Sequence, residues 1–217
     1  MEKRIVTVLN LLKRETAKLP LPWVTELAKQ EKKPYLVLIA ALLSVRTKDN
    51  TTKRASQRLF TRATTPQEML ELGYRTIAQL IYPVGFYHQK AENILRISQR
   101  LCNMYKGRIP RQRDVLMSFP GVGRKVANLV LGLSFGLPAI CVDTHVHRIS
   151  NRLGIINTKD VYSSERELEK VIPRHLWVEL NTIMVSFGQH VCLPRRPLCS
   201  QCCLSRVCLK KGVENFH

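Results

Sequence analysis

The chain has 217 residues, of which 45% are hydrophobic, so it can bury the core of one large domain or two small ones, and a wholly disordered chain is excluded. Its 35 lysines and arginines outnumber 16 aspartates and glutamates, which leaves a formal net charge of +19. This excess predicts a polyanionic partner, above all nucleic acid, although a basic surface can also serve solubility alone. An anionic membrane surface is disfavoured because no polybasic block adjoins an amphipathic anchor.

The N-terminal third contains two apolar segments that could be mistaken for targeting or membrane sequences. Residues 1–15, MEKRIVTVLNLLKRE, are interrupted by Thr7 and Asn10 and hold no small-residue cleavage site, so we expect no secretion signal. Residues 35–45, YLVLIAALLSV, form the longest apolar run, and this is shorter than the roughly 20 residues that span a bilayer. The run predicts a buried helix, and we expect no association with a membrane.

The middle of the chain shows helical periodicity. Residues 89–106, QKAENILRISQRLCNMYK, place Ala91, Ile94 and Leu101 on one apolar stripe, together with other apolar positions at helical spacing. Gly107 then favours the end of this helix. The same periodicity recurs along the chain without sustained two-residue alternation, which predicts an all-α protein of roughly nine or ten helices.

The C-terminal half predicts two further helices and a domain border. Ser164 and Glu167 have the spacing of a capping box at a helix start. Pro173 should interrupt that helix, and a second one is predicted from about Leu176 to Phe187. The sequence changes character near residues 136–138, Gly-Leu-Pro, which makes a domain border plausible there.

The segment FPGVGRK, residues 119–125, predicts a tight turn between a helix that ends near Ser118 and one that begins near Arg124. We expect Gly121 and Gly123 to permit positive φ and to let backbone N–H groups approach a phosphate, which the positive end of the second helix also attracts. Such a helix-hairpin-helix binds a DNA backbone without reading its sequence. The alternative is a turn that only links two packed helices.

A second candidate site lies in AICVDTHVHRI, residues 139–149, where an apolar stretch ends in an aspartate. Asp143 is predicted to be the N-cap of the helix that follows, accepting hydrogen bonds from the amides of its first turn. A carboxylate held and oriented in this way can also stabilise a developing positive charge. His145 is expected to contact DNA, whereas His147 fits a packed or solvated role equally well.

Seven cysteines occur, and four of them follow the pattern C-x6-C-x2-C-x5-C within 17 residues. Four thiolates can hold structural zinc or an iron–sulfur cluster, and a single C-x2-C pair with wider gaps on both sides favours the cluster. The pattern uses Cys192, Cys199, Cys202 and Cys208. Cys203 is adjacent, and the residues alone leave open whether Cys202 or Cys203 is the ligand.

Between the first two of these cysteines lies LPRRPL, residues 193–198. Pro194 and Pro197 flank Arg195 and Arg196, so a short loop anchored at both ends would present two guanidinium groups rigidly to phosphate. The alternative interpretation is an ordinary solvated basic loop.

Taken together, FPGVGRK, VDTHVHR and the cysteine pattern resemble the endonuclease III family of DNA glycosylases, as do LLSVRTKD at 42–49 and VGFYHQKAEN at 84–93. The resemblance implies a two-domain, all-α helix-hairpin-helix fold, with a six-helix domain at residues 24–137. Residues 1–23 and 138–217 together would form the domain that carries one [4Fe-4S] cluster. It also implies a monomer, in the cytoplasm with the chromosomal DNA of a prokaryotic cell, that binds double-stranded DNA containing a damaged base or an abasic site.

The resemblance also implies roles for individual residues. Lys125 matches the family's nucleophile and Asp143 its essential aspartate, and the four cysteines of the pattern match the cluster ligands, which favours Cys202 over Cys203. The implied activity is removal of damaged bases, mainly oxidised pyrimidines, through a lysine imine, followed by β-elimination at the abasic site. The implied DNA contacts are Arg46, Phe86, Gly121, Val122, Gly123, Arg124, His145, Arg195 and Arg196.

Two positions depart from the family pattern. Arg46 stands where glutamine is common, and Phe86 stands where an aliphatic wedge residue is common, so the opposite-base preference and base range are open. A monofunctional mismatch glycosylase of the same superfamily is disfavoured because that branch lacks a lysine at the position of Lys125. A non-catalytic DNA-binding metal module would not need Lys125 together with Asp143.

Overall fold

The structure is a computed structural model that describes residues 2–217, with side chains described from Arg4 onward. The described chain is helical throughout, which confirms the all-α prediction. Its α-helices are α1 (Glu2–Thr16), α2 (Trp23–Glu31), α3 (Pro34–Ser44), α4 (Asp49–Phe60), α5 (Pro66–Ile81), α6 (Tyr87–Tyr105), α7 (Arg113–Met117), α8 (Arg124–Phe135), α9 (Thr144–Arg152), α10 (Val161–Val171) and α11 (Trp177–His190). Short 3₁₀ helices cover Arg174–Leu176 and Cys199–Gln201. None of the described helices is long and apolar enough to cross a bilayer.

The chain forms two compact units. Trp23–Leu137 make up one, which we call the hairpin unit, and residues 2–22 with 138–217 make up the other, which we call the cysteine unit. The chain passes from the first to the second between Leu137 and Pro138, within the segment where the composition changes. The hairpin unit contains the seven helices α2 to α8, whereas the resemblance implied six. The additional helix is α7, which has only five residues.

The core of the hairpin unit is built around α3. Pro34 occupies the first helical turn, where its missing N–H costs nothing, and every residue from Tyr35 to Leu43 is buried. Helices α2, α4, α6 and α8 pack around it. The buried helix predicted from the apolar run is therefore confirmed, and its burial on all sides explains why the run shows no polar face.

Helix α6 confirms the stripe predicted in the middle of the chain. Ala91, Ile94 and Leu101 are fully buried on one face, and α6 packs along α5. The helix ends with Lys106 and Gly107 both at positive φ, 52° and 72°, which is the left-handed termination that the glycine predicted. Three polar residues of the helix, Lys90, Asn93 and Ser98, are also buried.

The cysteine unit packs α1, α9, α10 and α11 around a second core that includes Leu12, Val146, Leu168 and Met184. The break at Pro173 is confirmed, because α10 ends at Val171 and α11 begins at Trp177 after a 3₁₀ turn.

The predicted capping box at Ser164 and Glu167 is wrong. Helix α10 begins at Val161, and the carboxylate of Asp160 caps it by accepting from the amides of Tyr162 and Ser163, each at 2.9 Å. Ser164 is instead buried inside the helix, where its hydroxyl lies 2.6 Å from His147 Nδ1. The helix therefore begins one turn earlier than expected, because an aspartate four residues before Ser164 satisfies the amides of its first turn.

Candidate active site and cysteine cluster

The predicted hairpin is present between α7 and α8. Gly121 has a φ of +76°, and a Cβ there would lie 2.5 Å from Asn93 Nδ2 and 3.1 Å from Leu42 Cδ1. Both the backbone conformation and the close packing therefore require glycine. Gly123 differs from the prediction, because its φ is −88° and it is the N-cap of α8. A Cβ on Gly123 would meet open space, so no neighbouring residue excludes a side chain there. A glycine at this position would be needed only if a partner such as a phosphate approaches the backbone closely.

Val122 lies between these glycines and does not fit the DNA-contact role that we expected for it. Its side chain is 4% exposed, and its N–H donates to Phe119 O at 3.1 Å. Val122 therefore stabilises the turn from within. The exposed residues on either side, Gly121 and Gly123, are left as the places where a phosphate could approach.

Arg124 and Lys125 are the first two residues of α8, and both are partly exposed. The helix continues from Val126 as a buried stem, so its N-terminal turn is the end that reaches the surface. Amide groups and the helix dipole make that end positive, which favours an anion beside it. A primary amine next to a bound phosphate group is well placed to attack the adjoining sugar.

Asp143 caps α9 as predicted. Its Oδ1 accepts from the amides of His145 and Val146, each at 2.9 Å, and the residue is partly buried. Two backbone donors on one oxygen fix the orientation of the carboxylate. Asp143 belongs to the cysteine unit and Lys125 to the hairpin unit.

The two histidines that follow have different surroundings. His145 Nδ1 lies 3.1 Å from Arg148 Nη2, so its ring is packed beside a guanidinium in a partly buried position. His147 Nδ1 lies 2.6 Å from the Ser164 hydroxyl and 3.3 Å from Asn151 Nδ2. The packed alternative is thus the correct one for His147, which links α9 to α10.

Arg46 and Phe86, the two departures from the family pattern, lie against each other. The Arg46 guanidinium carbon is 4.8 Å from the centre of the Phe86 ring, and Phe86 is 62% exposed. Both residues have left-handed backbone, with φ of 54° and 58°. A bulky residue in this conformation is strained, so the surrounding structure must hold it there. The pair projects a flat, cationic and aromatic surface suited to stacking.

The four cysteines of the pattern line one cavity in the cysteine unit, together with apolar residues such as Phe187 and Leu204. Burial raises the pKa of the Cys208 thiol, and the nearby thiols of Cys192, Cys202 and Cys199 raise it further. The four thiols are therefore close enough for a negative charge on one of them to disfavour ionisation of another.

Polar groups around this cavity point at the sulfur atoms. The amides of Leu204 and Lys210 donate to Cys202 and Cys208 at 3.4 Å, and Arg152 Nη1 donates to Cys192 at 3.4 Å. Donors of this kind stabilise sulfur that carries negative charge, as in a metal-bound thiolate. Among the described residues, no three His, Cys, Asp or Glu side chains converge closely enough for a single metal ion. Four thiols that line one cavity and receive such donors have the chemistry of a set of metal-binding thiolates.

Arg148 and Arg152 were missed by the sequence reasoning. Arg152 is 8% exposed, and it donates to Leu193 O at 2.7 Å and to Pro194 O at 2.9 Å. Arg148 donates to Gly188 O and Cys192 O at 3.1 and 2.9 Å. Their spacing of four along α9 was visible in the sequence, but a basic pair at that spacing is also typical of a solvated helix face.

The loop held by these arginines carries Arg195 and Arg196, both exposed, while Pro197 behind them is buried. Arg196 has a φ of 49°. The loop is thus fixed at its base and exposes both arginines to solvent, which the phosphate-contact prediction and the solvated-loop alternative both require.

The family model of the HhH-GPD superfamily of base excision DNA repair proteins matches residues 39–174. The endonuclease III of Thermotoga maritima is 46% identical over 179 residues, which are 82% of this chain and 84% of that protein. This chain belongs to the endonuclease III family. A solved non-covalent endonuclease III–DNA complex matches with a TM-score of 0.86 at 34% identity, over 97% of this chain and 96% of that one. A trapped covalent endonuclease III–DNA intermediate, an estranged-adenine complex, matches with the same TM-score of 0.86 and 34% identity.

These matches confirm the helix-hairpin-helix glycosylase fold that the resemblance implied. They span nearly the whole chain, so both the hairpin unit and the cysteine unit have counterparts in the endonuclease III structures.

Proposed function

We propose that this chain removes damaged bases, mainly oxidised pyrimidines, from double-stranded DNA and then cleaves the strand at the abasic site. Its family membership makes it a DNA glycosylase of base excision repair. The observation that carries the finer proposal is the position of Lys125 in the first turn of α8, directly after the glycine turn. A phosphate gripped by that turn would bring the neighbouring sugar to the amine.

In the proposed reaction, Lys125 Nζ forms a bond to C1′ of the damaged nucleotide while the bond from C1′ to the base breaks. The base leaves with the electron pair and takes up a proton. Opening of the sugar ring gives an imine between Nζ and C1′. Loss of a proton from C2′ then expels the 3′ phosphate and nicks the strand, and water finally hydrolyses the imine to free the lysine.

Asp143 has an electrostatic role in this scheme. Positive charge develops on the sugar as the base departs, and a fixed carboxylate stabilises that charge without reorganising during the reaction. The two amide hydrogen bonds of the cap support this role, because they hold the carboxylate in one orientation.

Cys192, Cys199, Cys202 and Cys208 are proposed to hold one [4Fe-4S] cluster, which the shared cavity and the donors to sulfur support. When bound, the cluster supplies a fixed cross-link among four chain positions rather than a reactant. This chain's own residues then present the loop of Arg195 and Arg196 to the DNA backbone.

Borohydride trapping tests the nucleophile. Wild-type protein should form a covalent adduct with a duplex containing one oxidised pyrimidine when borohydride reduces the imine. Lys125→Gln keeps a polar, unbranched stem but has no basic amine, so it should give no adduct, while Lys159→Gln at an exposed position should give the wild-type amount. If the wild-type protein releases the base but forms no adduct and no nick, it is a monofunctional glycosylase. If it releases no base and makes no nick, it is a non-catalytic DNA-binding protein.

Metal content tests the cluster. Purified protein should contain about four iron atoms per chain and absorb visible light through sulfur-to-iron charge transfer. Stoichiometric zinc in colourless protein would contradict the cluster assignment and leave the proposed reaction untouched, since no step passes through the metal.

A further inference from the structure

Lys90 is a buried lysine on the apolar face of α6, and its side chain is only 6% exposed. Its Nζ donates to Val45 O at 2.6 Å, to Leu43 O at 2.8 Å and to Thr47 Oγ1 at 3.3 Å. All of these acceptors are uncharged oxygens. A lysine is rarely buried unless its partners compensate for the lost hydration, so this arrangement calls for a reason.

The acceptors place Lys90 at the end of α3. That helix ends at Ser44, and carbonyl groups in a last helical turn have no partner within their helix. The ammonium group supplies three donors and a positive charge, both of which suit the negative end of a helix. Burial lowers the pKa of Lys90 to about 8, so the group keeps its charge at neutral pH.

The segment that Lys90 holds is the one that carries Arg46. Residues 45–47 leave α3 through the left-handed backbone of Arg46, and Lys90 binds the residue on each side of it. This backbone conformation is unfavourable for arginine, and hydrogen bonds on both flanks can maintain it.

The same segment is tied to the turn that carries Phe86. The amide of Gly85 donates to Thr47 Oγ1 at 3.2 Å, so one hydroxyl bonds both Gly85 and Lys90. The two backbones are so close that a Cβ on Gly85 would lie 2.8 Å from Arg46 O. Lys90 itself follows this turn in the first part of α6, so it connects both segments.

We propose that Lys90 is a positioning residue that holds Arg46 and Phe86 as one rigid pair, which fills the gap left in duplex DNA when the damaged nucleotide is flipped out. This inference rests on the proposed function. Flipping a base costs a few kcal/mol of stacking and pairing. A pair already fixed in position can compensate for that cost without first being ordered.

Lys90→Met tests this role, because methionine fills a similar volume and cannot donate. Single-turnover base release from duplex DNA should fall by about 10-fold or more, by analogy with other small displacements of positioning groups. Borohydride trapping on a single-stranded abasic oligonucleotide needs no gap to be filled and should stay within about 2-fold of wild type. Gln99→Met, exposed on the same helix, should leave both reactions unchanged.

A fluorescent base opposite the lesion gives a readout that general destabilisation would not move. Wild-type binding should change its emission when Arg46 and Phe86 enter the duplex, and Lys90→Met should reduce that change at saturating protein. The decrease in emission change caused by Lys90→Met should also be much smaller when Arg46 is already alanine. Lys90 acts through Arg46 in this proposal, so the two effects should not add.

Thr47→Val provides a second variant should Lys90→Met not fold, because it removes only the shared hydroxyl. Thr47→Val should also slow base release from duplex DNA selectively, but by a smaller factor than Lys90→Met. Equal loss on duplex and single-stranded substrates, or loss on neither, would overturn the role of Lys90. Absence of trapping by the wild-type protein would instead overturn the proposed function.

Discussion

Asp143 shows how one residue can serve the fold and the reaction. Its capping role uses a single oxygen that accepts from two amides, and this requires an acceptor but no charge. Asparagine caps helices about as well as aspartate. The electrostatic role, by contrast, depends on the negative charge. The two roles can therefore be separated by one substitution.

Asp143→Asn should keep the melting temperature of the wild type but lower the single-turnover rate of base release by about 100-fold or more, since a fixed charge that meets the transition state contributes on this scale. Asp143→Ala should lose the same activity and also about 1 kcal/mol in the free energy of unfolding. Thermal unfolding and base-release kinetics on the same preparations measure both. Full activity in Asp143→Asn would show that Asp143 is only a cap.

The two hairpin glycines should respond in opposite ways to the same change. Gly121→Ala places a Cβ on left-handed backbone against Asn93 and Leu42 and should lower the free energy of unfolding by at least about 1–2 kcal/mol. Gly123→Ala points a methyl group into open space and should cost less than about 1 kcal/mol, yet it should weaken duplex binding by obstructing a phosphate. Denaturant titration and fluorescence anisotropy test the pair. Unchanged DNA affinity in Gly123→Ala would remove the phosphate contact from the hairpin.

At the scale of elements, α9 links two candidate sites within the cysteine unit. Asp143 lies at its start, and Arg152, its last residue, holds the backbone of Leu193 and Pro194. A guanidinium group can donate to several oxygens in fixed directions, which a lysine at the same position could not reproduce. Helix α9 thus positions the loop that leads from the first cysteine to the basic pair.

Arg152→Met should loosen that loop and expose the cysteine cavity. We expect visible absorbance from the proposed iron–sulfur cluster to decay about 10-fold faster in air or chelator, because donors around a metal site typically contribute 10- to 100-fold to metal affinity. Far-ultraviolet circular dichroism of the fresh protein should match the wild type. Lys159→Met on the surface serves as the control, and equal decay rates in both variants would show that Arg152 does not protect the cysteine site.

Helices could be predicted from the sequence wherever one signal dominated. The apolar run of α3 and the stripe of α6 are examples, because burial of a continuous face sets both. The start of α10 was predicted wrongly because Asp160 and Ser164 both suit a cap, and only three-dimensional packing buries Ser164. Lys90 occupies the apolar stripe of α6, a visible signal, but its carbonyl partners lie more than forty residues earlier.

For the whole molecule, the short motifs predicted the candidate site better than composition could. The turn around Gly121, the cap at Asp143 and the convergence of the cysteines follow from local chemistry at fixed spacing. The contact between Arg46 and Phe86 could not be derived in this way, because it joins segments forty residues apart. Net charge predicted an anionic partner, but it does not say which basic residues meet it.

Salt dependence can assign those residues. With a net charge of +19, duplex affinity should fall steeply as salt rises, and each phosphate contact adds about 0.9 to the slope of log affinity against log salt. Arg195→Ala combined with Arg196→Ala should therefore reduce the slope by about 1.8. The exposed pair Arg166→Ala and Lys170→Ala on α10 removes the same charge and should leave the slope unchanged. If both double variants lower the slope equally, the loop of Arg195 and Arg196 contributes only to the general positive field of the protein and makes no direct phosphate contact.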